Sequence, residues 1–133
     1  MNPNTHQQGS LPAVLGLEWH EWGDGRVTGA LELTPAHLAP NGYLHAAVVV
    51  ALADTACGYG CMISLPEGAS GFTTIELKTN FLGTARDGRI TTRARLVHGG
   101  RMTQIWDAEV LADGRPGPIA LFRCTQMILY PRD

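Results

Sequence analysis

Asp54 stands in the run Val50-Ala51-Leu52-Ala53-Asp54-Thr55-Ala56, an apolar setting for a carboxylate. A lone carboxylate withdrawn from water is costly unless something compensates it. Two accounts fit that setting. One is a helix-interior Asp satisfied by a neighbouring Thr or backbone N–H. The other is a general base or nucleophile in a dry cleft, its pKa tuned by desolvation and a nearby helix end. Nine residues earlier, His45 follows the turn cluster Pro40-Asn41-Gly42-Tyr43 and marks the start of the same element. As a side chain it reads as a cap or packing residue as readily as a catalyst. The backbone after it is more informative, because the first N–H groups of a helix lack intrahelical acceptors and carry partial positive charge. Ala46 and Ala47 leave those groups open to a ligand oxygen.

The element that must hold these residues runs from Leu44 to Ile63, where Ala46 to Ala53 is unbroken apolar sequence. A helix apolar on nearly all sides is buried. Its length invites a transmembrane reading, but Asp54 at mid-span and Gly58 and Gly60 beyond it argue against a bilayer. At about 100° and 1.5 Å per residue, His45 and Asp54 lie on opposite faces and about 13 Å apart along the axis. A site that used both ends would need a second, antiparallel copy of the helix, hence a dimer.

Around the helix the periodicity changes from helical to alternating. Leu15 to Leu33 reads as a hairpin about Gly23-Asp24-Gly25. After the helix, Ile75, Leu77, Thr79 and Phe81 alternate with Thr74, Glu76, Lys78 and Asn80. A further strand alternates Ile90, Thr92, Ala94 and Leu96 with Arg89, Thr91, Arg93 and Arg95. Asp87-Gly88, Gly99-Gly100 and Asp113-Gly114 punctuate the strands at hairpin spacing, and Ile119 to Tyr130 closes the chain. The pattern predicts an α+β domain with an antiparallel sheet over residues 13–133. Residues 1–12, polar and aperiodic, read as a flexible arm. One flat sheet cannot cover a helix that is apolar all round, so the sheet must curl around it or a second molecule must complete the burial. Thr74 falls on the polar face of its strand, where its hydroxyl would position a water or pair across strands. Arg101, beyond Gly99-Gly100, reads as an anion contact or as an incidental turn residue.

Composition excludes other partners. Lys and Arg number 10 against 12 Asp and Glu, a net charge of −2 with no basic run, which argues against nucleic acid and a polybasic membrane contact. The three cysteines read as buried core thiols, and no metal is expected. Met1 to Ser10 carries no signal-like apolar segment, so a cytoplasmic location is expected.

The run Asn41-Gly42-Tyr43-Leu44-His45-Ala46-Ala47, followed at the right interval by Leu52-Ala53-Asp54-Thr55-Ala56, resembles the pattern of hotdog-fold acyl-CoA thioesterases of the PaaI (phenylacetic acid degradation) type. The resemblance covers about Leu15 to Tyr130. It implies a curved antiparallel sheet wrapped around one long central helix, assembled as a homodimer or a dimer-of-dimers tetramer. It also implies an acyl-CoA substrate and no cofactor. Carried over residue by residue, Asp54 is the acid, the Ala46 N–H polarises the thioester carbonyl, and Thr74 supports the acid. Gly100 and Arg101 meet the coenzyme A nucleotide, and Tyr59 and Phe81 shape the acyl pocket with Met62 and Phe72. Two departures stand out. Ala46 and Ala47 replace the motif glycines, and Ala39 replaces an amide six positions before His45, with Asn41 nearby but out of register. A non-catalytic acyl-CoA sensor is therefore compatible with the sequence, but Asp54 in the motif register together with a polar Thr74 favours an acyl-CoA thioester hydrolase.

Overall fold

The computed structural model describes residues 1–132. Strands β1 (Glu18–Gly23) and β2 (Arg26–Glu32) form the expected hairpin, closed by Asp24-Gly25, with Gly25 at a φ of 78° that favours glycine. Helix α3 (Ala46–Ile63) follows, and then β3 (Gly71–Phe81), β4 (Arg89–Gly99), β5 (Thr103–Ala112) and β6 (Ala120–Leu129). All six strands join one antiparallel sheet in the order β1-β2-β4-β5-β6-β3.

Helix α3 touches every strand of that sheet, so the sheet curls around it as the resemblance implied. Val49, Leu52, Ala53, Ala56 and Cys57 of the helix are buried against Val27, Leu31, Ile90, Trp106, Val110 and Phe122. The helix is long and apolar enough to cross a membrane, yet here it is the core of the domain. Gly60 is what lets it sit so close. A Cβ at Gly60 would lie 2.4 Å from the Trp106 ring, so the indole occupies the space a side chain would need. Cys57, Cys61 and Cys124 are buried free thiols, and burial pushes the Cys61 thiol up to about 12.

Three expectations change. Asp87-Gly88 does not close a hairpin: β3 leaves the sheet at one edge and the chain crosses to β4, which sits between β2 and β5. A β-bulge between Thr74 and Glu76 shifts the phase of β3 by one residue. Thr74 therefore pairs with buried Gln126 on the helix-facing side, while Glu76 pairs with Thr125 on the outer side, so Thr74 does not share a face with Glu76, Lys78 and Asn80. Finally, residues 1–12 depart from the flexible arm. They form α1 (Pro3–His6) and the start of α2 (Leu11–Leu15), with Pro3 and Gln7 buried.

Candidate active site

Helix α3 begins where His45 caps it. The backbone of His45 is extended, and its Nδ1 accepts the Ala47 N–H at 2.9 Å, which puts the proton of a neutral ring on Nε2. His45 is thus a cap. The Ala46 N–H, one residue earlier than the capped group, donates to nothing among the described residues and lies at the exposed positive end of an 18-residue helix. Asn41 is spent on the preceding turn: its Oδ1 accepts the Tyr43 N–H at 3.1 Å while Gly42 takes a φ of 86°.

Eight residues further along the helix, Asp54 lines a cavity of about 490 Å³ together with Thr55, Gly58, Tyr59 and Met62 of the same helix face. Phe72 and Thr74 of β3 form a second wall, and His6, Gln7 and Ser10 a third. Asp54 Oδ1 is buried with no hydrogen-bond partner among the described residues. Burial pushes the Asp54 carboxyl above the usual aspartate value. Of the two sequence accounts, the helix-interior Asp satisfied by Thr55 or a backbone N–H has no support at Oδ1. Thr74 donates its hydroxyl proton to Gln126 Oε1 at 2.6 Å, and Gln126 is fully buried. The Thr74 lone pairs are left to accept from a third group in the cavity.

One chain therefore brings Asp54, Thr74, Tyr59, Met62 and Phe72 together, and leaves the other expected residues elsewhere. Asn41, His45 and Ala46 lie at the helix start. Phe81 is exposed at the end of β3, outside the cavity. At the β4–β5 turn the Gly100 N–H is already used by Thr103 O at 2.9 Å, and the Arg101 guanidinium sits 5.4 Å over the Tyr130 ring. The contributions of His6, Gln7, Ser10 and Gln126 were missed in the sequence. Asn2-Pro3 and Ser10-Leu11-Pro12 were the available signals, each a cap residue with Pro in the first helical turn.

A six-stranded antiparallel sheet curled around one long helix is the hotdog architecture. Residues 41–118 match the model of the Thioesterase superfamily, and the chain belongs to that family. It is 30% identical over 115 residues to a 1,4-dihydroxy-2-naphthoyl-CoA hydrolase of Listeria monocytogenes, spanning 86% of this chain and 92% of that one. A mutant of thioesterase PA1618 from Pseudomonas aeruginosa superposes with a TM-score of 0.88 at 27% identity, covering 96% of this chain and 91% of that one. A mutant of the phenylacetic acid degradation protein PaaI from Thermus thermophilus superposes at 0.80 with 26% identity, over 89% and 97%. The hotdog fold and the PaaI-type resemblance both hold, and thioester hydrolysis is the chemistry of the family.

Proposed function

We propose that the protein hydrolyses an acyl-CoA thioester to the free acid and coenzyme A, at a site completed by a second copy of the chain. The observation that carries this reading is Asp54 Oδ1, buried and unpartnered in a cavity beside the Thr74 hydroxyl. A carboxylate and a hydroxyl that both accept would hold the two protons of one water. Asp54 takes a proton as the water oxygen attacks the thioester carbonyl. The tetrahedral intermediate then expels the coenzyme A sulfur, which leaves as the thiol with the proton Asp54 received. The raised Asp54 pKa suits a base that must also return its proton near neutral pH.

The oxyanion formed in that attack needs a donor. Ala46 N–H points out of its own helix start, roughly 12 Å along the axis from Asp54, so it does not reach a carbonyl at Asp54 of the same chain. The same group of a partner copy does, if two helices lie antiparallel. Edge strand β3 supports such pairing: it is 11 residues long, unpaired on one side, and exposes Ile75, Leu77 and Phe81. Two β3 strands joined edge to edge would give the homodimer, and two such dimers the tetramer.

Ala46 and Ala47 favour a second reading, since their Cβ atoms stand where the resembled motif has glycine. A carbonyl held away from the Ala46 N–H would leave an acyl-CoA sensor. Incubation with aryl, short, medium and long acyl-CoA thioesters, reading released thiol, separates the two. Turnover of at least one class is expected. Tight binding with no thiol release from any of them would favour the sensor.

A further inference from the structure

The third wall of the cavity comes from a segment outside the residues that match the family model. Its attachment is specific. Gln7 is buried, and its side-chain amide makes three hydrogen bonds: Nε2 donates one N–H to Leu17 O at 2.7 Å, while Oε1 accepts Trp19 Nε1–H at 2.7 Å and the Tyr59 hydroxyl at 3.4 Å. Three residues earlier, Asn4 pairs with both backbone groups of Trp19, accepting its N–H at 2.8 Å and donating to its C=O at 3.0 Å. This is how a neighbouring strand would satisfy the edge strand β1. Trp19 itself is buried and packs on Gly29, where a Cβ would come within 2.4 Å of the ring. The Tyr59 ring packs edge-on against Trp19 at 5.4 Å and against His6 at 6.2 Å.

These contacts place a fixed, hydrogen-bonded amide across the cavity. Tyr59 lies five residues beyond Asp54, roughly 7 Å further along α3, with Gln7 on its hydroxyl. Gly58, Met62 and Phe72 give the same cavity apolar wall, beside the polar groups of Thr55 and Thr74 near Asp54 and of His6 and Ser10 near Gln7. Pushing Gln7 aside would orphan a buried indole N–H and a buried backbone carbonyl, a penalty that no alkyl group repays by hydrogen bonding.

We infer that Gln7 is the end stop of the acyl cavity, so that the N-terminal segment sets the longest acyl chain the site admits. This rests on the reading that the Asp54 cavity receives the acyl group of a coenzyme A thioester. Gln7 is then a specificity residue that touches the end of the chain and takes no part in the chemistry.

The test uses non-hydrolysable S-alkyl-CoA thioethers from butyl to hexadecyl, titrated calorimetrically into the full-length protein. Wild-type affinity should rise with chain length and then fall sharply beyond one length. Gln7→Ala should move that break to a longer chain and raise affinity for the first excluded thioether by about tenfold or more, the discrimination a close-fitting pocket gives per methylene. Gln7→Asn, which keeps the amide but is one methylene shorter, should move it less. Gln7→Met, which keeps the bulk but loses the hydrogen bonds that anchor it, should move it less than Gln7→Ala. An unbroken rise to hexadecyl in the wild type overturns the inference without any variant. An unmoved break in the folded short variants, or an equal shift in Gln7→Met, overturns it too. Failure of the hydrolase reading looks different: a Gln7-dependent break with no thiol released from acyl-CoA leaves the end stop standing, and binding of no thioether at all sinks both.

Discussion

Two aspartates on opposite sides of the sheet have opposite environments. Asp107 lies on the outer face, in a hollow of about 620 Å³ lined also by Lys78, Arg93, Arg95, Glu109 and Arg123. Arg123 holds it by two hydrogen bonds, Arg95 contacts it at 3.4 Å, and the Arg123 guanidinium keeps its carboxyl below the usual aspartate value. Asp54, on the helix side, has one oxygen buried without a partner, and desolvation raises it. An acid neutralised by arginines is spent on local order. An acid left unsatisfied in a cavity is a cost to the fold, and it is on that cost that the proposed chemistry at Asp54 rests.

Removing the unsatisfied acid should have the larger effect on activity. Asp54→Asn should lower turnover by ~10²–10⁴, the contribution of a positioned acid–base group, while melting temperature at neutral pH stays level or rises. Activity within tenfold of wild type in a thiol-release assay would make Asp54 a structural residue like Asp107. Next in size is the group that holds the water with it. Thr74→Val should cost about tenfold in kcat, the worth of one neutral hydrogen bond, with the fold intact. Gln126→Leu should cost a similar factor by freeing the Thr74 hydroxyl to turn, and the double variant little more than either alone, as expected for one coupled pair. Additive losses would mean that Gln126 acts elsewhere.

The smallest effects come from pH and from Asp107. Because the folded value of Asp54 is raised, its ionisation costs stability, and the cost appears as pH rises from the unfolded value through the folded one. Asp107 works the other way, since its folded value is lowered: its stabilisation is full above the unfolded value and is lost as pH falls through the folded one. Asp107→Asn should lower the melting temperature by a few degrees at most, less in high salt, and leave hydrolysis unchanged, because exposed ion pairs are screened. Melting curves of the two Asn variants against pH should therefore deviate from wild type with opposite slopes, and parallel slopes would erase the distinction between the two acids.

Much of this was readable in the residues. The apolar run after His45 announces a core helix, and alternation announces β4 and β5, whose faces match the pattern residue for residue. Asp54 stood out for its setting alone. The face of Thr74 was not readable, since the bulge at Ile75 inserts one residue and inverts every assignment on its N-terminal side. Nor was the route after Asp87-Gly88, because a turn dipeptide reports a local change of direction and not which strand comes next to which. The polar N-terminal segment concealed its role for another reason: Gln7 and Asn4 are held by side-chain hydrogen bonds to distant backbone, which leave no periodicity in sequence.

The account stands or falls on whether Asp54 of one chain works with Ala46 of another. Ala46→Pro removes the single N–H assigned to the oxyanion at a position where Pro is tolerated, and Asp54→Ala removes the acid. Each homo-oligomer should be nearly inactive. When the two are co-expressed, about half the dimers formed by random pairing are mixed, and each mixed dimer holds one site with an intact Ala46 and an intact Asp54. Thiol release from the pool should recover to roughly a quarter of wild type if each site is shared and independent. No recovery from verified mixed dimers of folded parents would contradict a site shared between chains.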